Sequence, residues 1–253
     1  MKYVEIMRPI VKQAGIMIMD HFRQSIHIEQ KKDKSIRTEV DLLVEKFLKD
    51  QLCAAISGSG FIAEESKNVD IQEYTWVIDP IDGTKNFVRG LPYFGISVAL
   101  MHDLKIIAAM TYLPVMQECF YAELGKGSWR NGQRLILQNK GWMDSGVLIV
   151  VSSFRLQQVD IIDRLKQQLK SLDFGIRFRI FGAATLDLAY AAAGSLDIVI
   201  FENLKWWDAA AGILLVSEAG GWISQSDGSN VTQSFTSLIA GDSELCQLIV
   251  SKI

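Results

Sequence analysis

The stretch from Trp76 to Thr84, with the sequence WVIDPIDGT, is an apolar run that ends in two acids. Its first residues predict a short buried strand, and Asp79 and Asp82 follow three positions apart. Burying an unpaired carboxylate is costly, and a hard divalent cation held by oxygen ligands is its natural partner. Gly83 and Thr84 predict a turn into a helix, whose first backbone N–H groups favour an anion. A cation beside an anion cradle indicates phosphate chemistry.

Other acids stand at the ends of predicted elements elsewhere in the chain. Glu64 and Glu65 follow a short predicted strand, and because side chains alternate along a strand, they cannot both face one point. Asp208 begins a predicted helix, where an acid is also a common cap that the helix dipole favours. Taken with Asp79 and Asp82, Glu64 and Asp208 would complete a two-metal cluster, whose ions lie about 3.5–4 Å apart.

Asp41 lies three residues after Thr38, at the start of a predicted helix that runs to about residue 56. The pair resembles a capping box, so Asp41 has a structural interpretation as a cap and a functional one as an acid pointing into a site. The residues alone favour the structural interpretation. The basic segment before this helix, from Ile26 to Arg37, also has two interpretations. A solvated connection is favoured over a flap that carries cations toward an anionic substrate.

Charge and cysteine content indicate the compartment and exclude several partners. The formal net charge is −3, which gives no attraction to nucleic acid or to acidic membranes. The three cysteines are scattered singly, which argues for a reducing compartment. No apolar run reaches the length of a membrane span, and the first residues do not resemble a secretory signal. We therefore expect a cytoplasmic protein with no nucleic-acid or membrane partner.

Other catalytic chemistries fit the sequence less well. The three histidines lack the spacing of zinc ligands. Gly83–Thr84–Lys85 lacks the upstream glycine of a nucleotide-binding P-loop, and no Gly-x-Ser-x-Gly elbow exists for a serine hydrolase. Phosphoryl transfer at a carboxylate-held metal is therefore the favoured reaction class.

The pattern of predicted elements changes character near residue 146. Residues 1–145 predict two amphipathic helices and an antiparallel meander, in an α+β half that carries most of the candidate metal ligands. Residues 146–253 alternate strands with helices, including a helix from Val159 to Leu172. This α/β half carries Asp208 and the substrate wall, meaning the residues expected to contact the substrate.

Four sequence motifs stand in order along the chain: AEES at 63–66, WVIDPIDGTKNF at 76–87, GKGSWRNG at 125–132, and WDAAAG at 207–212 followed by EAGG at 218–221. Together they resemble the inositol monophosphatase family, which is grouped with fructose-1,6-bisphosphatases and bisphosphate nucleotidases. The resemblance covers nearly the whole chain. The resemblance implies a layered αβαβα sandwich like that of fructose-1,6-bisphosphatase, a Mg²⁺-dependent phosphomonoesterase activity and a homodimer.

The resemblance also implies roles for matching residues, with two or three Mg²⁺ ions bound. The ligands of the first ion would be Glu64, Asp79 and the carbonyl of Ile81. Those of the second would be Asp79, Asp82 and Asp208. The residues that activate water would be Glu64 and Thr84, with Asp41 accepting the proton of Thr84. The substrate would be held by Asp82, Gly83, Thr84, Ala184, Glu202 and Asp208.

Several positions near the expected substrate wall depart from the family pattern. Arg37 stands where a valine is usual, Lys85 where inositol phosphatases often have threonine, and Ala183 where serine or threonine is common. We expect a small phosphorylated metabolite as substrate, with inositol monophosphate first. The alternatives are a 3'(2'),5'-bisphosphate nucleotidase, a histidinol-phosphatase or a fructose-1,6-bisphosphatase. A regulatory binding protein with vestigial catalysis is the non-enzymatic alternative.

Overall fold

Two amphipathic helices cover one face of the molecule in the computed structural model, which describes residues 1–66, 69–137, 146–153, 162–163, 165–167 and 175–251. Helix α1 spans Lys2–His21 and helix α2 spans Glu39–Ala55. Both bury residues at helical spacing, as the sequence predicts; in α1 these include Val4, Met7 and Val11.

The basic segment between these helices is a β-hairpin, although the sequence favours a solvated connection. Strand β1 (Ile28–Gln30) pairs antiparallel with β2 (Ile36–Thr38). The sequence signal is weak because each strand is only three residues long and β1 is exposed along its whole length, so no apolar alternation marks the pair.

A seven-stranded sheet, in the order β3-β4-β5-β6-β7-β8-β9, packs against α1 and α2. Its strands are β3 Gly60–Ala63, β4 Tyr74–Asp82, β5 Gly95–His102, β6 Lys105–Leu113, β7 Glu118–Glu123, β8 Ser128–Arg130 and β9 Gln133–Leu135. Only β3 and β4 run parallel in this sheet. Helix α3 (Thr84–Val88) leaves the end of β4. The meander and the Asn131–Gly132 turn between β8 and β9 are confirmed.

A second, five-stranded sheet has the order β11-β10-β12-β14-β13, with mixed directions. Its strands are β10 Val147–Ser153, β11 Ile176–Arg179, β12 Ile198–Glu202, β13 Trp222–Ser224 and β14 Ser237–Gly241. Sequence analysis missed the three-residue strand β13. The remaining helices with described bounds are α4 Ala184–Ala192, α5 Trp206–Glu218 and α6 Ser243–Val250.

The layers follow an αβαβα order, which confirms the predicted sandwich. Helices α4 and α5 lie between the two sheets, in a core that draws residues from both of them, such as Val77 and Val199. Residues Leu245 and Ile249 of α6 cover the outer face of the second sheet. The strands of the first sheet lie within residues 1–145 and those of the second within 146–253, but a domain boundary at residue 145 stays a prediction.

The helix predicted from Val159 to Leu172 lies mostly outside the described residues, although 162–163 and 165–167 are helical. Among the described residues, no helix has both the length and the apolar character that crossing a bilayer requires.

Candidate metal centre

The register of β4 changes at its end, and this change brings Asp79 and Asp82 to one face. Asp79 lies opposite Ser97 of β5 and Asp82 lies opposite Gly95, so β4 holds one residue more than β5 between these pairs. In an unbroken strand, residues three apart would point to opposite faces. The bulge turns Asp82 to the side of Asp79, and Pro80, which has no N–H to donate, is well suited to this position.

Asp208 meets these two acids from the start of α5. Among the described residues, Asp79, Asp82 and Asp208 each offer a carboxylate oxygen within 4.8 Å of the others. Backbone N–H groups donate to all three of these side chains. Lys205 N donates to Asp208 Oδ2 at 3.2 Å, and Thr185 N, in the first turn of α4, donates to Asp82 Oδ2 at 2.5 Å. The cluster therefore joins the first sheet to both central helices.

Burial and mutual repulsion make the carboxylates of this cluster hard to ionise. The pKa of Asp79 and that of Asp208 lie well above the ordinary value because of burial and the charges of Glu64 and Asp82, and the charge of Asp208 raises the pKa of Asp79 further. Burial also raises the pKa of Asp82 to about 7, with Glu64 contributing and the hydrogen bond from Thr185 opposing. Each of these acids gains from a nearby positive charge.

The donor set fits a hard divalent cation. It consists of carboxylate oxygens, which Mg²⁺ and Ca²⁺ prefer, and it contains no histidine or cysteine ligand. Because the pKa values of Asp79 and Asp208 are raised by burial and repulsion, a bound cation would relieve both costs together. The sequence prediction that these acids converge agrees with this arrangement.

Thr84 links the end of β4 to α2 through its hydroxyl. Thr84 Oγ1 lies 3.0 Å from the carbonyl oxygen of Ile81 and 3.2 Å from Asp41 Oδ1. A hydroxyl has one hydrogen, so it donates to only one of them at a time. Asp41 Oδ2 also accepts from Thr38 N at 2.7 Å and completes the predicted capping box. Both interpretations of Asp41 therefore describe contacts that it makes, since one oxygen caps α2 while the other faces Thr84.

Gly83 occupies a backbone conformation that other residues reach at a cost. Its φ is +90°, in the left-handed region, and a Cβ there would lie 2.7 Å from the carbonyl oxygen of Tyr93. Asn86 holds the neighbouring loops in place, because its Nδ2 donates to the carbonyl of Tyr93 at 2.7 Å and to that of Phe181 at 2.8 Å. The sequence contains no signal that would have identified this bridge.

Glu64 stands outside the group of three acids and bonds to a lysine of the hairpin. Lys31 Nζ donates to Glu64 Oε1 at 2.8 Å and to Glu65 Oε1 at 2.6 Å. The Glu64 charge nevertheless contributes to the raised pKa of Asp79 and of Asp41, so its carboxylate lies near the cluster. The sequence does not predict this contact, because nothing in a basic loop shows which carboxylate a lysine reaches.

The two remaining predicted site residues lie at the ends of elements of the second half. Ala184 is buried at the start of α4, one residue before Thr185. Glu202 is partly buried at the end of β12, four residues before α5 begins with Trp206. Both elements therefore lead toward the cluster, and the roles of Ala184 and Glu202 stay predictions.

A layered αβαβα sandwich with this acidic centre defines a class of protein. A sequence profile of the inositol monophosphatase family matches residues 2–253, and the chain belongs to that family. Membership supports a phosphatase activity, and the family is generally metal-dependent.

Individual relatives carry both enzymatic and non-enzymatic names. The chain is 35% identical over 235 residues to the Nus factor SuhB of Pseudomonas aeruginosa, covering 90% of this chain and 86% of the relative. It is 31% identical to the fructose-1,6-bisphosphatase/inositol-1-monophosphatase of Thermotoga maritima, covering 87% and 83%. The crystal structure of the extragenic suppressor protein suhB from Bartonella henselae superimposes with a TM-score of 0.91 at 30% identity, covering 100% and 98%.

Proposed function

We propose that this protein is a Mg²⁺-dependent phosphomonoesterase that hydrolyses a small phosphorylated metabolite. The observation that carries the proposal is the convergence of Asp79, Asp82 and Asp208, which structural stability alone does not require. Three acids within 4.8 Å of one another, one buried and two partly buried, destabilise a fold unless a cation offsets their repulsion. In this proposal Glu64 and the carbonyl of Ile81 complete the ligand sets predicted from the family resemblance.

The side chains around the cluster have complementary tasks in this proposal. Thr84 donates its hydrogen to Asp41 Oδ1, which leaves the lone pairs of Oγ1 free to accept a hydrogen bond from the attacking water. Glu64 accepts the other hydrogen of that water. The bulge and the Thr185 N–H hold Asp82 in a single orientation, so the acids need no rearrangement during the reaction.

Substrate phosphate lies against the Gly83–Thr84 turn in this proposal. The turn opens α3 beside Asp82. Bound Mg²⁺ supplies a lowered pKa for water and neutralises the phosphate charge. Asp208 and Glu202 approach from the second half, where the leaving group would be held.

Inositol monophosphate is our first candidate substrate. The Thermotoga maritima relative is named for both inositol-1-monophosphatase and fructose-1,6-bisphosphatase activities, so sugar and polyol phosphates lead the list. Lys85, directly after Thr84, stands where inositol phosphatases often have threonine, which keeps histidinol phosphate and 3'(2'),5'-bisphosphate nucleotides as alternatives. We further propose a cytoplasmic homodimer, whose assembly light scattering would measure.

A phosphate-release screen over these four substrates tests the proposal. We expect release that requires Mg²⁺, stops with chelator and is lost in Asp79→Asn. Release that persists with chelator, or at the full rate in Asp79→Asn, would contradict the metal-dependent mechanism. The ranking of kcat/KM over the four substrates then identifies the substrate class.

A regulatory binding role is the second candidate, favoured by the name Nus factor that several relatives carry. In this case catalysis would be vestigial and a protein partner would occupy the molecule in cells. Undetectable turnover on a broad panel of phosphate esters, together with a tight partner that binds Asp79→Asn equally well, would support this role over the phosphatase.

A further inference from the structure

The ammonium group of Lys31 bridges two adjacent carboxylates at the end of β3. Its Nζ lies 2.8 Å from Glu64 Oε1 and 2.6 Å from Glu65 Oε1, and only 20% of the lysine side chain is exposed. Hydrogen bonds between charged groups at these distances are among the stronger ones in proteins. The hairpin therefore delivers a positive charge directly to Glu64, one of the acids that the proposed function assigns to the metal.

Glu65 is the more firmly held of the two acids. Its side chain is 1% exposed, and its backbone N donates to Glu45 Oε2 of α2 at 2.7 Å. Arg37 Nη1 lies 3.7 Å from Glu65 Oε2, while the Arg37 guanidinium bonds to Glu29 at 2.9 and 2.7 Å. Both cations near Glu65 thus come from the hairpin, while its main chain is fixed to a core helix.

These contacts give Glu64 and Glu65 different roles. Glu64 shares Lys31 and stands outside the group formed by Asp79, Asp82 and Asp208. An oxygen that accepts from an ammonium group is unavailable to a divalent cation, and the two positive charges also repel each other. Glu65 can hold Lys31 by itself, because its Oε1 accepts from Lys31 Nζ at 2.6 Å and its main chain is fixed to α2.

We propose that Lys31 competes with the divalent cation for Glu64, and that Glu65 is the positioning residue that retains Lys31 when Glu64 is released. The inference rests on the metal site of the proposed function and adds a cost of loading that site. Only the molecules in which Glu64 is free of Lys31 can bind the divalent cation. The measured Kd therefore exceeds the intrinsic Kd by the reciprocal of that fraction.

Calorimetric titration of the metal-free protein with Mg²⁺ tests the competition without any turnover. We expect Lys31→Met to lower Kd at least about fivefold, which corresponds to about 80% of molecules holding Glu64 through Lys31. Lys32→Met is the matched control, because it removes the same charge from an exposed neighbouring position of the hairpin. Lys31→Arg keeps the cation and should stay within about twofold of the wild-type Kd.

A double-mutant cycle with Glu65→Gln tests the anchor. With Lys31 present, Glu65→Gln removes the carboxylate that shares the lysine, so Lys31 bonds to Glu64 in more of the molecules. The Kd for Mg²⁺ should therefore rise. In the Lys31→Met background the same change should have a markedly smaller effect.

Four results would overturn the inference in whole or in part. Equal effects of Lys31→Met and Lys32→Met on the Kd would show that Lys31 acts only by long-range repulsion of the cation. An unchanged or raised Kd in Lys31→Met would exclude competition for Glu64. Equal effects of Glu65→Gln in both backgrounds would remove its role as anchor. A wild-type protein that binds no Mg²⁺ would overturn both this inference and the proposed function, whereas normal wild-type binding confines the failure to Lys31 and Glu65.

Discussion

Asp79 and Asp82 lie on the same face of β4 although three residues separate them. One extra residue in β4, between the pairs that these acids form with Ser97 and Gly95, produces this arrangement. Regular alternation would place the two side chains on opposite sides of the sheet. The first half of the cluster is thus built into a single strand, and α5 needs to add only Asp208.

Replacing Asp79 should change the stability of the metal-free protein and the activity in opposite directions. We expect Asp79→Asn to lower kcat/KM by several orders of magnitude, because it neutralises the acid that both proposed ligand sets share. The same change should raise the melting temperature of the metal-free protein, since it removes one of three mutually repelling buried charges.

Calorimetric melting and phosphate release on the same preparation measure the two effects. Asp50→Asn, which removes an acid that is exposed on α2, is the control and should change neither value appreciably. A metal-free Asp79→Asn protein that melts below the wild type would contradict the repulsion argument.

The metal-free protein should become more stable as the pH falls from 8 to 6. The pKa of Asp41 is raised to about 6 and that of Asp82 to about 7, mainly by burial, from an ordinary value of 3.8 in the unfolded chain. In this range the folded state binds more protons than the unfolded state, so the free energy of unfolding decreases as the pH increases. Each 1 kcal/mol corresponds to roughly 2–4 °C in melting temperature for a chain of this size.

Saturating Mg²⁺ should flatten this dependence, because a bound cation takes the place of the protons. Melting curves at several pH values, with and without Mg²⁺, provide the measurement. Parallel dependences in the two conditions would show that these acids do not form the metal site.

Gly83→Ala should cost more stability than an otherwise similar glycine replacement. Gly220 has a φ of +87°, nearly that of Gly83, but nothing lies within 4 Å of a Cβ placed there. We expect Gly220→Ala to cost about 1–2 kcal/mol for the left-handed backbone alone. Gly83→Ala should cost at least about 1 kcal/mol more, because its Cβ would also meet the carbonyl oxygen of Tyr93 at 2.7 Å. Urea denaturation measures both, and equal costs would show that the Tyr93 loop adapts.

The sequence predicts much of this molecule because its signals are local. Apolar periodicity locates α1 and α2, and a strand that ends in acids identifies Asp79 and Asp82 as candidate ligands. The bulge that aligns these acids depends on the register with β5, which no local pattern encodes. The bond between Lys31 and Glu64 also joins residues far apart in the chain, and no local pattern shows that the side chain of Glu65 is only 1% exposed.

The glycine-rich motif at 125–132 and the acid that opens the motif at 218–221 meet in one structural contact. Glu218 Oε1 accepts from Gly125 N at 2.8 Å, and Oε2 accepts from Gly127 N at 2.7 Å. These contacts fasten the turn before β8 to the end of α5, so we expect Glu218→Ala to cost about 1–3 kcal/mol of stability. Glu218→Gln keeps one accepting oxygen and should lose roughly half as much. Urea denaturation measures these costs in stability. Because this clamp of Glu218 on Gly125 and Gly127 acts on the fold and not on substrate, kcat/KM at saturating Mg²⁺ should stay within about twofold of wild type. A larger loss of kcat/KM in a fully folded Glu218→Gln protein would show that the clamp also positions Asp208 at the other end of α5.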